Sequence, residues 1–155
     1  MAHDSSRLDE EIRHALTEIR MVLPGAQALL GFQFVTLLLE DFARLPESMK
    51  QVHLLSLVLM TIAVVLLMTP AAYHRIVEHG ENTERFHRFA SRMLMVSLVP
   101  MAFGVAADFY IVVWKVADSA LWAWTATLVL LIIMFGFWFG LPLYRRYNTR
   151  TNRAS

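Results

Sequence analysis

The chain has 155 residues, of which 57% are hydrophobic, with a mean hydropathy of +0.48 and a formal net charge of +1. This composition is too apolar for an ordinary soluble domain, and the length suits one small helical bundle in a membrane. The chain contains no cysteine, which excludes disulfides, thiolate metal ligands and a cysteine nucleophile.

A charged segment opens the chain. Apolar residues recur in it at helical spacing, with acids and arginines around the other side; they are Leu8, Ile12, Ala15, Leu16, Ile19 and Leu23. We predict a cytoplasmic amphipathic helix over residues 1–21 rather than a cleavable signal sequence. Its excess of acids favours packing against the bundle or a neighbouring subunit, and a simple interfacial helix is the alternative. Pro24 follows and predicts a bend where the first span begins.

Four apolar runs then follow, and each is long enough to cross a bilayer, whose hydrocarbon core of about 30 Å requires roughly 20 helical residues. They cover about residues 22–42, 52–73, 89–114 and 120–141. We predict an all-α fold: an integral membrane four-helix bundle over residues 22–142, followed by a basic tail over residues 143–155. All lysines and arginines except Arg44, Lys50 and Lys115 lie in the N-terminal segment, the central loop or the tail. The positive-inside rule therefore places both termini in the cytoplasm.

Acidic residues lie within two of these runs. Asp108 lies inside the third, and Glu40 and Asp41 lie near the outer end of the first. An ionisable group in a membrane span is costly and is a functional-site hypothesis by default. The structural alternatives are an interfacial acid paired with a nearby cation at residues 40 and 41, and a buried partner for a cation or for His53 at residue 108.

Polar residues at helical spacing form a stripe on each of these two helices. If the two stripes converge with His53 of the second run, the bundle contains a polar seam that could carry protons or small cations, although an interfacial histidine is the alternative for His53. We assign the ion pathway to Asp108, Glu40, His53, Gln33, Ser97 and Thr36.

The fourth run ends with Gly136 and Gly140, four residues apart. This spacing favours close helix packing, within the subunit or between subunits, and Gly104 of the third run is a further packing candidate. Because a four-span chain of this size has little room for its own aqueous pathway, we expect a homo-oligomer.

The loop between the second and third runs contains several acids and histidines, but no two of its histidines have the spacing of a helical metal site. We expect a salt-bridged turn, in which Gly80 ends one helix and Asn82 or Thr83 caps the next. We expect no metal and no cofactor, haem included, because His53 and His74 lie at opposite ends of one span. No nucleophile and base share a useful spacing, so an enzyme is not expected, and the basic tail requires no nucleic acid.

The segments EIRMVLPGAQALLGFQF (residues 18–34), LP (residues 45–46) and VHLLSLVLMTIAVVLLMTPAAYHRI (residues 52–76) carry a resemblance. They resemble a bacterial four-span family described as a domain of unknown function, whose members often bear an automatic label of sodium:proton antiporter. The resemblance covers residues 8–92 in sequence and the remainder in layout. It implies the four-span fold and a bacterial inner-membrane location, and it brings no catalytic motif.

Two functional hypotheses follow. The first is an oligomeric inner-membrane channel or transporter for protons or small cations, with Asp108 as the key acid. The alternative is a non-transporting accessory or assembly subunit, which binds a partner through the N-terminal helix and the cytoplasmic loop.

Overall fold

The computed structural model describes residues 2–78 and 83–145, and all of their regular structure is helical. The helices are α1 (Ala2–Thr36), α2 (Glu40–Ala43), α3 (Glu47–Ile76), α4 (Glu84–Ala117) and α5 (Ala120–Phe135). A π-helical turn, Gly136–Gly140, continues α5 into a last helical stretch over residues 141–145. The fold is therefore all-α. The predicted roles of Gly80 and Asn82, and most of the predicted tail, fall on residues outside the described ranges.

Three helical stretches are long and apolar enough to cross a membrane: Glu47–Ile76, Glu84–Ala117 and Ala120–Arg145. They mark the chain as a membrane protein, and they correspond to the second, third and fourth of the predicted runs. Helix α1 is not among them, because its first half is charged and its second half contains Gln27 and Gln33. The first run also ends earlier than predicted, because α1 stops at Thr36 and the backbone turns before the short α2.

Helix α1 contains Pro24, the residue at which a bend is predicted, and no new helix begins there. A proline inside a helix costs about 3 kcal/mol, since its ring displaces the preceding turn and removes a hydrogen bond. Packing on both sides of the proline opposes this cost, because Ile19 and Ala26 are buried in the same apolar cluster while Pro24 itself is exposed. The result is one helix of 35 residues.

That apolar cluster, the inner core, joins the N-terminal half of α1 to α3 and α4. Ile12 is 2% exposed and Ile19 is 6% exposed. They pack with side chains that include Leu67 of α3 and Phe86 of α4. The apolar face of the N-terminal segment therefore lies against the bundle of its own chain.

Helix α4 is central, because α1, α3 and α5 all pack against it. At its N-terminus the Thr83 hydroxyl accepts a hydrogen bond from the Phe86 amide at 3.1 Å, which makes Thr83 the cap. At its C-terminus Asp118 adopts a left-handed conformation, with φ of 49°, and turns the chain into α5. A second apolar cluster at this end, the outer core, includes Met49, Tyr110 and Ala123.

Candidate functional site

Helices α1, α3 and α4 bring four polar side chains together within an otherwise apolar bundle. We call this group, Gln33, His53, Ser56 and Asp108, the polar cluster. It lies in the last turn of α1, two turns into α3, and between the middle of α4 and its C-terminus. Each helix therefore contributes at least one polar group to the same point in the bundle.

Asp108 forms the α4 side of the cluster. Its Oδ2 accepts a hydrogen bond from Gln33 Nε2 at 2.5 Å, and its Oδ1 lies 3.2 Å from His53 Nδ1. The Asp108 side chain is 31% exposed, whereas that of His53 is 6% exposed. The pair thus combines a buried imidazole with a carboxylate that reaches an open surface.

The His53 ring lies between α1 and α4. Its second ring nitrogen, Nε2, lies 3.2 Å from the backbone carbonyl oxygen of Gln33. The Phe42 ring packs edge-on against the imidazole, with ring centroids 5.2 Å apart. Both ring nitrogens of His53 therefore lie within hydrogen-bonding distance of an oxygen atom, and the Phe42 ring packs against the imidazole.

Ser56 of α3, one turn after His53, forms hydrogen bonds to both α1 and α4. It is fully buried, its hydroxyl accepts a hydrogen bond from Gln33 Nε2 at 2.7 Å, and it donates one to the Gly104 carbonyl at 2.7 Å. A Cβ atom on Gly104 would lie 2.9 Å from Met60 Cγ and 3.3 Å from the Ser56 carbonyl oxygen. Gly104 is therefore required for α3 and α4 to approach this closely.

A cavity of about 190 Å³ adjoins the cluster between α1 and α4. Gln33, Thr36, His53 and Asp108 supply its polar lining, and Leu29, Phe32, Ile111 and Val112 supply the rest. The Gln33 Oε1 atom is buried and has no hydrogen-bond partner among residues 2–78 and 83–145. The Asp108 carboxylate beside a cavity of this size provides acceptors for a hydrated proton or a small cation.

Three of the predicted pathway residues, Gln33, His53 and Asp108, lie in the cluster. A fourth, Thr36, lines the cavity, and its hydroxyl donates a hydrogen bond to the Phe32 carbonyl at 2.9 Å. Glu40 lies outside the cluster and close to Arg44, as in the alternative of an acid paired with a nearby cation. Because α1 ends at Thr36, helical spacing no longer aligns residue 40 with Gln33, and the Glu40 side chain is 95% exposed, 4.0 Å from Arg44. Ser97 is buried, but its hydroxyl donates to the Leu94 carbonyl of its own helix at 2.7 Å.

Asp41 forms an ion pair outside the cluster, at the outer end of the bundle. Lys115 Nζ donates to Asp41 Oδ2 at 3.0 Å. This hydrogen bond and the positive charge of Lys115 hold the pKa of Asp41 below its usual value of 3.8. Because Lys115 is engaged there, the side chain that pairs with Asp108 is His53.

Ser56 belongs to the cluster but is not among the pathway residues that the sequence analysis assigns. It follows His53 by three residues, so the two share a helix face. That spacing was the available signal, but serine is common in membrane helices and its partners lie on two other helices.

Gly136 and Gly140 do not contact another helix in the described part of the chain. A Cβ atom on Gly136 would meet nothing within 4 Å, and one on Gly140 would lie 3.8 Å from the Phe135 carbonyl oxygen of the same helix. Both glycines line an exposed groove of about 360 Å³ at the end of α5. Among the described helices, none packs closely against these two glycines, so packing between subunits is the alternative that stays a prediction.

No group of three or more histidine, aspartate or glutamate side chains within residues 2–78 and 83–145 is placed to hold a metal ion. The polar cluster has one carboxylate and one imidazole, and its remaining donors and acceptors are uncharged. Its groups can therefore donate and accept hydrogen bonds, and two of them, His53 and Asp108, are titratable.

Comparison with protein families gives a match over residues 2–142 to DUF6328, a family of unknown function. The chain belongs to this family. The matched range includes all of the helices that form the polar cluster. No curated protein and no solved structure matches the chain. The family description assigns no activity, so a functional argument has to come from the cluster itself.

Proposed function

We propose that this DUF6328 protein is an oligomeric inner-membrane channel or transporter for protons or small cations, in which Asp108 is the key acid. The observation that carries the proposal is the position of the Asp108 carboxylate. It pairs with a nearly buried histidine on one side and reaches a cavity on the other. Intramembrane acids with these surroundings mark ion and proton paths in membrane proteins.

The second half of α1 supplies the fourth span in this proposal. Two contacts support it. Asp41, just after α1, pairs with Lys115 near the end of α4, and Ile12 packs in the inner core with Phe86 near the start of α4. Helix α1 and the turn that follows it therefore have contacts near both ends of α4, which supports a fourth span beside the three apolar helices.

A four-span arrangement places both termini on one side of the membrane. The distribution of lysine and arginine favours the cytoplasm for that side. In this orientation the polar cluster lies nearer the outer surface. The carboxylate would then exchange ions with the outer side through the α1–α4 cavity.

An oligomer is part of the proposal because the described chain encloses no continuous polar path. The cavity beside Asp108 is bordered by exposed apolar side chains, with Phe32 70% exposed and Val112 59% exposed. The groove at Gly136 and Gly140 is a second open apolar surface. Contact between subunits at such surfaces would shield the path from lipid.

The alternative, an accessory subunit that binds a partner through the N-terminal helix, has weaker support. The apolar face of that helix, which includes Ile12 and Ile19, already packs against α3 and α4. A partner would have to recognise the charged face instead. Deleting residues 1–20 and recovering the same partners in a pull-down would count against this alternative.

The transport proposal is tested with purified protein in liposomes that contain a pH-sensitive dye, with proton and cation gradients imposed separately. We expect Asp108→Asn to reduce flux to the level of empty liposomes, because the amide cannot ionise. Asp41→Asn is the matched control, since it removes an acid near the same end of the bundle but outside the cluster. Undiminished flux in a correctly assembled Asp108→Asn protein would reject the site.

A further inference from the structure

The His53 ring is held between two oxygen atoms on different helices. Nδ1 faces Asp108 Oδ1 of α4 at 3.2 Å, and Nε2 faces the Gln33 carbonyl oxygen of α1 at 3.2 Å. A backbone carbonyl can only accept a hydrogen bond, so the Nε2 contact requires a hydrogen on Nε2. The contact between Nδ1 and the carboxyl group likewise requires one hydrogen between its two atoms.

Counting hydrogens distinguishes the protonation states of the pair. An imidazolium beside a carboxylate satisfies both contacts, and so does a neutral imidazole that carries its hydrogen on Nε2 beside a protonated carboxyl. Both states contain the same number of protons and have no net charge. A neutral imidazole beside an ionised carboxylate has one hydrogen too few, so two acceptors face each other at one of the contacts.

We propose that His53 and Asp108 form one proton-binding site that holds a single exchangeable proton, and that the arrangement described above is its proton-loaded state. The inference rests on the proposed function for its role in transport, and it deepens that function by naming the proton, rather than a metal cation, as the ligand. The unit that binds the proton is the pair, so its titration belongs to both residues together.

The surroundings favour the neutral, loaded pair. His53 is 5% exposed, and a buried charge without a partner is strongly disfavoured. Nε2 also contacts a carbonyl in the last turn of α1, where the helix dipole favours positive charge. A charged imidazole at this position therefore needs the Asp108 carboxylate as its partner.

No other titratable group within the described residues contacts the ring. Helix α1 presents Gln33, α2 presents Phe42 and α4 presents Asp108. On α3 itself the preceding turn carries Lys50, whose Nζ lies 3.7 Å from a Glu47 carboxylate oxygen. The proton count of the site is therefore set by His53 and Asp108.

Release of the proton breaks one of the two ring contacts. The pair then has a charge of −1, and the imidazole keeps a single hydrogen. If that hydrogen is on Nδ1, the contact with the Gln33 carbonyl is lost and the end of α1 is freed. If it is on Nε2, the Asp108 carboxylate turns away from the ring toward the cavity, where water can solvate it. Proton release is thus linked to a change in helix contacts.

The test is nitrogen-15 and carbon-13 NMR of the full-length protein in liposomes, labelled at histidine ring nitrogens and aspartate carboxyls. The His53 ring is identified among the 6 histidines by its through-space coupling to the Asp108 carboxyl carbon. We expect both signals to change in one shared step on titration with base, with the loss of one proton per chain. Asp108→Asn should leave a neutral ring, and Asp41→Asn should leave the titration unchanged.

Three results would overturn the inference: a neutral ring beside an ionised carboxylate throughout the titration, independent titration of the two signals, or no release of the proton at any pH at which the protein stays folded. All three results are read from the wild-type protein, so the outcome does not depend on whether a variant folds. If His53 and Asp108 titrate in one shared step but the protein shows no flux in liposomes, the proton-binding site is supported and the transport function is rejected. If flux depends on Asp108 but the two residues do not titrate in one shared step, the transport function is supported and the shared proton site is rejected.

Discussion

Replacing Ile12 with alanine should destabilise the protein, because this side chain is 2% exposed in the inner core. The change removes three carbon atoms, which at about 0.8 kcal/mol per buried CH₂ amounts to about 2.4 kcal/mol of lost transfer free energy. The remaining cavity adds to this, so the expected loss is about 2–5 kcal/mol. The better helix propensity of alanine returns less than about 0.7 kcal/mol.

This magnitude depends on where the residue lies. Ile12 belongs to the charged part of α1, which we place outside the hydrocarbon, so its burial removes apolar surface from water. In lipid the same burial would gain only packing contacts, because the lipid is as apolar as the protein interior. A loss at the upper end of the range would therefore also support an aqueous position for this part of the bundle.

The assay is equilibrium or thermal unfolding of the purified protein in detergent, with Met21→Ala as the control. Met21 lies on the same helix but is 74% exposed, so its truncation should change stability by less than about 0.5 kcal/mol. Equal stability of Ile12→Ala and wild type, with Met21→Ala also neutral, would refute the packing of the N-terminal segment. It would favour a helix that lies on the membrane surface instead.

Further predictions concern the polar cluster and the outer ion pair. Gly104→Ala should cost about 1–3 kcal/mol in the same unfolding assay, because the new methyl group overlaps a methionine of α3. Gly136→Ala is the control and should not destabilise the protein, since its methyl group meets no other atom within 4 Å. Equal stability of the two variants would contradict the close contact between α3 and α4. Ser56→Ala should cost about 1–3 kcal/mol, because it leaves a buried amide hydrogen of Gln33 without a partner and removes the side-chain hydrogen bond to the Gly104 carbonyl. Wild-type stability of this variant would show that the hydroxyl is dispensable. The lowered pKa of Asp41 means that its pair with Lys115 contributes fully above the usual value of 3.8 and loses its effect as the pH falls through the lower folded-state pKa. The stability difference between wild type and Asp41→Asn should therefore shrink in acid, and a constant difference would exclude this pair as its source.

The sequence was sufficient to predict the parts of the fold that depend on local composition. Apolar length indicates α3, α4 and α5, because the hydrocarbon thickness sets a minimum number of helical residues. The cap at Thr83 follows from the preference of threonine for the residue before a helix. Both rest on short stretches of the chain and need no knowledge of neighbouring helices.

Tertiary contacts decide the remaining features. Helix α1 passes Pro24 because side chains on both sides of the proline pack in one cluster, and no local pattern reports that packing. Glu40 follows Thr36 at helical spacing, which predicts a shared face only if the helix continues, and α1 ends at Thr36. The pairing of His53 with Asp108 joins residues 55 positions apart, so spacing along the chain could suggest it only as one of several alternatives.

The continuity of α1 has a mechanical consequence. From Ile12 to Gln33 the helix rises about 32 Å, at about 1.5 Å per residue, with no loop or second helix between the two points. A displacement imposed at the Ile12 end is therefore carried within one helix, and Pro24, which has no amide hydrogen, is the position where that helix can bend. The displacement arrives at Gln33, whose amide and carbonyl together contact His53, Ser56 and Asp108.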